Sequence, residues 1–222
     1  QLVAMGAQDV FLTGNPQITF FKVVYRRHTN FSMEAIPQVF DGSADVGKTV
    51  VCTVPRNGDL VHRMYVKVKP DALTQYDDLR VLLKSVELEI GGQKIDKQYW
   101  FWQQAWQELT YNQAQVNALD VMALNQNAAG DAADYYYLPL DFWFCRNPGL
   151  ALPLIALQYH EVRFHIELEA LNKLMVWTGS APTLSGFSFA SAGVMVDYVY
   201  LDSEERRRFA QVSHEYLIEQ LQ

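Results

Sequence analysis

A chain of 222 residues, half of them hydrophobic and 13% aromatic, carries a formal net charge of -7. That length and apolar content suffice for one large β domain or two small ones. The negative balance argues against a surface that coats nucleic acid, which would be basic, and no apolar run approaches the roughly 18 residues of a membrane-spanning helix.

Gln1 to Gly14 mixes small, polar and apolar residues without a period and reads as an arm, 1–15, closed by the Asn15-Pro16 turn signal. Ile18 to Tyr25, ITFFKVVY, is rich in β-branched and aromatic residues and reads as a first strand. Arg26, Arg27 and His28 follow it. Three cationic or titratable side chains in a row are compatible with a phosphate site, a charged strand end or a partner contact. A polar loop over 41–47 leads to a strand from Lys48 to Val54. Pro55 and the Asn57-Gly58 pair then predict a hairpin, with Leu60 to Lys69 as the returning strand. Its Met64, Val66 and Val68 share one face, and Arg63, Tyr65, Lys67 and Lys69 the other. After a connector over 70–78, Val86, Leu88 and Ile90 alternate with Glu87 and Glu89. Gly91-Gly92 makes a tight turn into Gln93 to Asp96, because the favoured two-residue hairpin turns need positive φ.

Gln98 to Leu124 breaks the β pattern. Its Gln, Asn, Ala and Leu content predicts helix, and Trp100, Trp102 and Trp106 cluster within it. The cluster fits a helix packed over the open end of a sandwich, and it also fits a sugar-stacking platform. A loop over 125–134 follows. Tyr135 to Phe144 returns to aromatic β character, with Pro139 allowed at an edge or bulge. Asn147-Pro148-Gly149 turns into Gly149 to Ala170, the stretch around which the chain is organised. Pro153 makes its first half extended or turning. Its second half sets Val162, Phe164, Ile166 and Leu168 against Glu161, Arg163, His165, Glu167 and Glu169, the period of a strand buried on one face. One buried sheet face needs a second sheet to cover it, which predicts a β-sandwich. A connector over 173–186 precedes the last long strand, Phe187 to Asp202, with Val194, Val196, Tyr198 and Tyr200 on one side. Asp202 to Arg208 reads as a short helix, capped by Asp or Ser and basic toward its negative end. The tail, His214 to Gln222, stops in mid-pattern, as a cut chain would.

Reactive groupings are scarce. His160-Glu161 resembles the opening of a zinc motif, but the next histidine, His165, is one position too far and faces the other way on a strand. Gly91-Gly92 lacks a phosphate-loop pattern around it, and Asp77-Asp78 reads as a solvated pair. Cys52 and Cys145, far apart in the sequence, read as free thiols in a reducing compartment, with a disulfide as the alternative. No signal peptide is readable, and the opening on Gln1 rather than Met is compatible with a removed initial segment. Asn30-Phe31-Ser32 is a sequon that cytosolic synthesis leaves silent. A metal enzyme on a similar barrel would need a His/Glu cluster, which this sequence does not nominate. The pattern expected is that of a structural or binding sandwich, with no catalytic residue, metal or cofactor.

Five stretches carry a resemblance: QLVAMGAQDVFLTGNPQITFFKVVYRRHTNF (Gln1 to Phe31), RNGDL (Arg56 to Leu60), VELEIGGQKIDK (Val86 to Lys97), NPGLALPLIALQYHEV (Asn147 to Val162) and VDYVYLDSEERRRFAQVSHEYLIEQLQ (Val196 to Gln222). Together they resemble the major capsid protein of the nucleocytoplasmic large DNA viruses, in particular its chlorella-virus form. The resemblance implies an all-β fold, an eight-stranded antiparallel jelly-roll sandwich with a helical loop insertion. This would be the first half of a double jelly roll, with the arm at 1–15, the barrel at 16–202 and a linker at 203–222 toward a second barrel. It implies a structural protein and not an enzyme, in which three subunits form a pseudo-hexagonal capsomer of an icosahedral shell. Implied partners are further copies of itself, neighbouring capsomers and minor capsid proteins, above an inner viral membrane and without direct contact to nucleic acid. The implied setting is the virion, assembled in host cytoplasm, with the arm near the inner side and the insertion at an end of the barrel. Exposed arginine suits interfaces, so Arg26, Arg27, Arg206, Arg207 and Arg208 are the expected assembly contacts, and Asn30 the candidate glycosylation position. The alternative function is a carbohydrate-binding jelly-roll module built on the tryptophan cluster.

Overall fold

Strand pairing explains most of the alternation in the sequence. The structure is a computed structural model that describes residues 29–70, 79–123, 135–174 and 188–221. The expected arm, the strand expected from Ile18 to Tyr25, Arg26, Arg27, His28 and Asp77-Asp78 lie outside the described residues. The chain divides into two units, Gln1–Asn30 and Phe31–Gln222, and the fold is that of the second.

The strands are β1 (Phe31–Val39), β2 (Thr49–Val54), β3 (Leu60–Pro70), β4 (Leu83–Ile90), β5 (Gln93–Tyr99), β6 (Tyr136–Pro139), β7 (Leu152–Pro153), β8 (Val162–Leu168) and β9 (Phe189–Leu201). The helices are α1 (Trp100–Thr110), α2 (Gln113–Ala123), α3 (Trp143–Arg146), α4 (Leu171–Leu174) and α5 (Ser203–Gln211). One sheet runs β1-β9-β3-β6, with the short β7 also on β3; the other runs β2-β8-β4-β5. All pairs are antiparallel. Successive strands mostly change sheet, which is the jelly-roll arrangement.

The core lies between the sheets. Cys52, Leu88, Phe164 and Ile166 of the second sheet are fully buried, as are Val66, Val196 and Tyr198 of the first. Burial of one such large side chain stabilises the fold by about 1.5–3 kcal/mol. Phe142 joins them between Phe144, stacked at 5.9 Å, and Phe164, at 5.6 Å. On β8 the buried set Val162, Phe164, Ile166 and Leu168 matches the sequence reading. The expected Gly-Gly hairpin also forms: Gly91 and Gly92 have φ of 60° and 83° and join Ile90 to Gln93.

Three expectations are corrected. Asn57-Gly58 does not make a hairpin, because β2 pairs with β8 while β3 pairs with β9 in the other sheet. The pair forms a corner between sheets. Gly58 is there for space, since a Cβ would stand 2.8 Å from the Tyr198 Cβ. Tyr198 closes the corner, its hydroxyl donating to the Pro55 carbonyl at 2.8 Å. Next, Tyr135 to Phe144 is strand only as far as Pro139. Phe142, Trp143 and Phe144 are all buried, which no alternating strand permits, and a turn of helix accommodates them. Lastly, His160 precedes β8 in a turn, its N–H bonded to the Leu157 carbonyl at 3.1 Å, so it does not share that strand with His165. β1, which the sequence reading leaves unassigned, is paired along its length with β9 and is an edge strand among the described residues.

Candidate assembly surfaces

The outer faces of the two sheets differ in chemistry. On β1, Phe31, Met33, Ala35, Pro37 and Val39 alternate outward, while Ile36 turns in to the core. Phe31 is 64% exposed, Met33 51% and Val39 79%. Their register partners on β9 include Leu201, Val199 and Met195, which continue the apolar row inward from the edge. Asp197 interrupts it opposite Ala35, and burial raises its carboxyl pKa against the lowering pull of Arg63 and His62.

The outer face of the second sheet is instead laced with ion pairs. Lys84 meets Glu167 at 2.5 Å, Lys94 meets Glu87 at 2.9 Å, and His165 Nε2 lies 3.0 Å from Glu89. The Lys84 hydrogen bond holds the Glu167 carboxyl below its ordinary range. These charges are satisfied across β4, β5 and β8, so the face is solvated and self-paired.

The helical insertion sits where the sequence places it, between β5 and β6. The second helix buries Leu119 and Ala123 in the core, whereas the buried positions of the first are polar. Gln103 and Gln107 of α1 are buried, together with Asp96 and Gln98 at the inward positions of β5 and with Asp141 after β6. Gln107 Nε2 donates to Asp141 at 2.7 Å, and the Tyr111 hydroxyl donates to its other oxygen at 2.9 Å. Burial raises the Asp141 carboxyl against these two hydrogen bonds, and burial also pushes the Tyr111 hydroxyl up. Beside this seam an open cavity of about 350 Å³ is lined by Arg63, Tyr65, Trp106, Tyr111, Met122 and Asp141 among others. The tryptophans do not form one flat platform. Trp102 and Trp106 are tilted by 34°, and the Arg146 guanidinium covers the Trp106 ring at 3.8 Å.

The expected contact arginines separate. Arg206 is committed within the chain, its Nε donating at 2.9 Å to Asp59, which also accepts the Leu201 N–H at 2.8 Å. Arg207 and Arg208 are exposed on α5, whose first turn is capped by Asp202 through the Glu205 N–H at 2.9 Å. Asn30 is exposed one residue before β1. Cys52 and Cys145 are free and buried, and burial pushes the Cys52 thiol up to about 12. Sequence reasoning missed the apolar row of β1 and the polar seam. Alternating apolar residues from Phe31 to Val39 were the available signal for the first; the second had none local enough to read.

The fold and these surfaces define a jelly-roll β-sandwich with an apolar row along the β1 side of one sheet and a charge-paired outer face on the other. The pattern of the family described as "Major capsid protein N-terminus" matches residues 19–202, and the chain belongs to that family. It is 53% identical to the major capsid protein of Pyramimonas orientalis virus, covering 100% of this chain and 57% of that protein. It is 47% identical to the major capsid protein of Paramecium bursaria Chlorella virus 1, covering 100% and 52% respectively. Among solved structures, the PBCV-1 VP54 crystal structure fitted into a reconstruction of the virophage Sputnik superposes with a TM-score of 0.77 at 43% identity, over 92% of this chain and 50% of that one. The chain thus spans about half the length of the curated relatives it matches. The carbohydrate-binding alternative finds no support in these relatives.

Proposed function

We propose that the complete protein is a major capsid protein that builds the icosahedral shell of a large DNA virus, and that this chain is its first barrel. The observation that carries the reading is the alignment of the entire chain, at 53% identity, with a major capsid protein. The role is structural and not enzymatic. In this reading 1–15 is an arm, 16–202 the barrel and 203–222 a linker to a second barrel. Three subunits form the pseudo-hexagonal capsomer, which meets neighbouring capsomers and minor capsid proteins above the viral membrane, after assembly in host cytoplasm and without touching nucleic acid. The apolar row of β1 is covered in the capsomer by a neighbouring barrel, while the charge-paired face of the second sheet stays wetter. Arg207 and Arg208, with Arg26 and Arg27, contact other subunits; Arg206 belongs to the fold. Asn30 stands beside Phe31, so a glycan there would crowd the apolar row, and the sequon stays silent.

The test is the denatured mass of the natural protein in its source particle, detected with an antibody against this chain. A band about twice the mass of the chain is expected, given that the chain covers 57% and 52% of two relatives. A band at the mass of the chain itself would sink the double-barrel capsomer.

A further inference from the structure

The last described residues of the chain are fastened, and the fastening has the form of a binding site. From α5 the chain runs on as an extended tail whose Leu217 is 83% exposed, so its middle contributes little burial. Its end is different. Glu219 pairs with Arg146, Gln220 Nε2 donates to the Ile95 carbonyl, and the Leu221 N–H donates to Asp96 Oδ1 at 3.0 Å. The receiving groups are prepared for this. Asp96 occupies an inward position of β5, where β4 and β8 carry apolar residues, and a buried carboxylate needs donors. It has the Gln98 amide at 3.0 Å, and the tail supplies the Leu221 N–H. Gln98 in turn reaches α1 through Gln103 and the Asp141 carbonyl through its amide, at 3.4 and 3.2 Å. Arg146 is held flat by stacking on Trp106, which orients its remaining donors toward a carboxylate.

We propose that Asp96, the Ile95 carbonyl and Arg146 form a peptide-binding site for the segment Glu219-Gln220-Leu221. The site recognises an acidic side chain, a carboxamide and a backbone N–H in that order. It ties the tail to the helical insertion, because Trp106 and Gln103 of α1 stand behind Arg146 and Gln98. Its occupant is the chain's own tail, and its consequence is to fix the direction in which the chain continues. That consequence rests on the reading that a second barrel follows; the site itself does not.

Hydrogen exchange followed by mass spectrometry on the 222-residue chain tests it, read at the amides of 217–221. Glu219→Gln removes the acid without touching the barrel, and Arg146→Met removes the guanidinium while keeping an apolar stem over Trp106. Each is expected to speed exchange of these amides about two- to fivefold, the span of a partly exposed ion pair. The double variant should go little further, because both remove one interaction. Asp96→Ala is expected to expose the Leu221 amide fully, with the β8 amides as the check that the barrel is intact. If Asp96→Ala fails to fold, Glu219→Gln alone decides. Tail amides that exchange at the unprotected rate in the unaltered chain, or that ignore both Glu219→Gln and Arg146→Met, would overturn the proposal. A clasped tail in a protein that forms no capsomer would sink the capsid reading and leave the site standing.

Discussion

Asp59 sits at the corner where β3 begins, largely shielded from water, and both its side-chain bonds run to residues far along the chain. The Arg206 pair spans 147 residues, so no local pattern marks Arg206 as structural. Arg206→Ala leaves Asp59 with the Leu201 N–H alone and should cost about 1 kcal/mol, the smaller figure reflecting the half-exposed guanidinium. Arg207→Ala and Arg208→Ala should change stability by no more than about 0.5 kcal/mol. Urea unfolding of the three variants separates them, and equal effects would dismiss the Asp59 tie. The same corner carries Gly58. An added methyl meets the Cβ of buried Tyr198, whose hydroxyl is itself fixed to Pro55, so neither side can yield freely. Gly58→Ala is expected to lose about 1–3 kcal/mol, the usual range for overpacking, read in the same unfolding experiment.

The first helix of the insertion meets the sandwich through buried polar groups, and that gives it a pH response. Burial raises the Asp141 carboxyl above its ordinary 3.8, so the folded chain holds this proton at pH values where the unfolded chain has released it. Stability associated with Asp141 is therefore complete below about 3.8 and is lost as pH rises through the elevated folded value. Asp141→Asn keeps an acceptor for the Tyr111 hydroxyl and offers an N–H to the Gln107 oxygen, which is buried without a partner. The variant should be at least as stable as the native chain at pH 7, with its advantage shrinking toward pH 4. Urea unfolding at the two values checks this, and an advantage that grows on acidification would refute it. Elements differ in how far the sequence announces them. β8, β9 and the β4–β5 hairpin are legible because one face of each is apolar or their turn demands glycine. β1 is not, because its apolar positions face outward and Pro37 reads as a breaker, although an edge strand tolerates it. The Asn57-Gly58 corner misleads because the dipeptide marks a reversal without saying which sheet the chain enters next. Of the candidate site, the arginines could be read by composition, but their division into tied and free could not.

At the scale of the whole molecule, the difference between the two sheet faces is what the proposed capsid subunit would require. A long edge strand with an open apolar row is a liability in a protein that stays alone, since such edges recruit other chains. The row on β1 lacks the charges that usually guard an edge: Phe31, Met33, Ala35, Pro37 and Val39 all face out, and Glu34 lies on the other face, where it accepts from Tyr200 at 3.3 Å. The second sheet, by contrast, spends its outer positions on paired charges that gain little from a partner. Covering a side chain such as Phe31 or Met33 fully is worth about 1.5–3 kcal/mol, less what neighbours already cover. Repeated at each contact of the proposed trimer, that would be enough to decide assembly. Phe31→Asp with Met33→Asp should therefore leave unfolding of the 222-residue chain within about 0.5 kcal/mol, because neither residue is in the core. In the complete protein the same pair should abolish the proposed trimer in sedimentation velocity runs. Lys94→Ala, on the opposite face, should leave the trimer intact, because it breaks only a surface ion pair with Glu87. Trimers that survive both aspartates would mean the β1 row is bare in the capsomer and that subunits meet elsewhere.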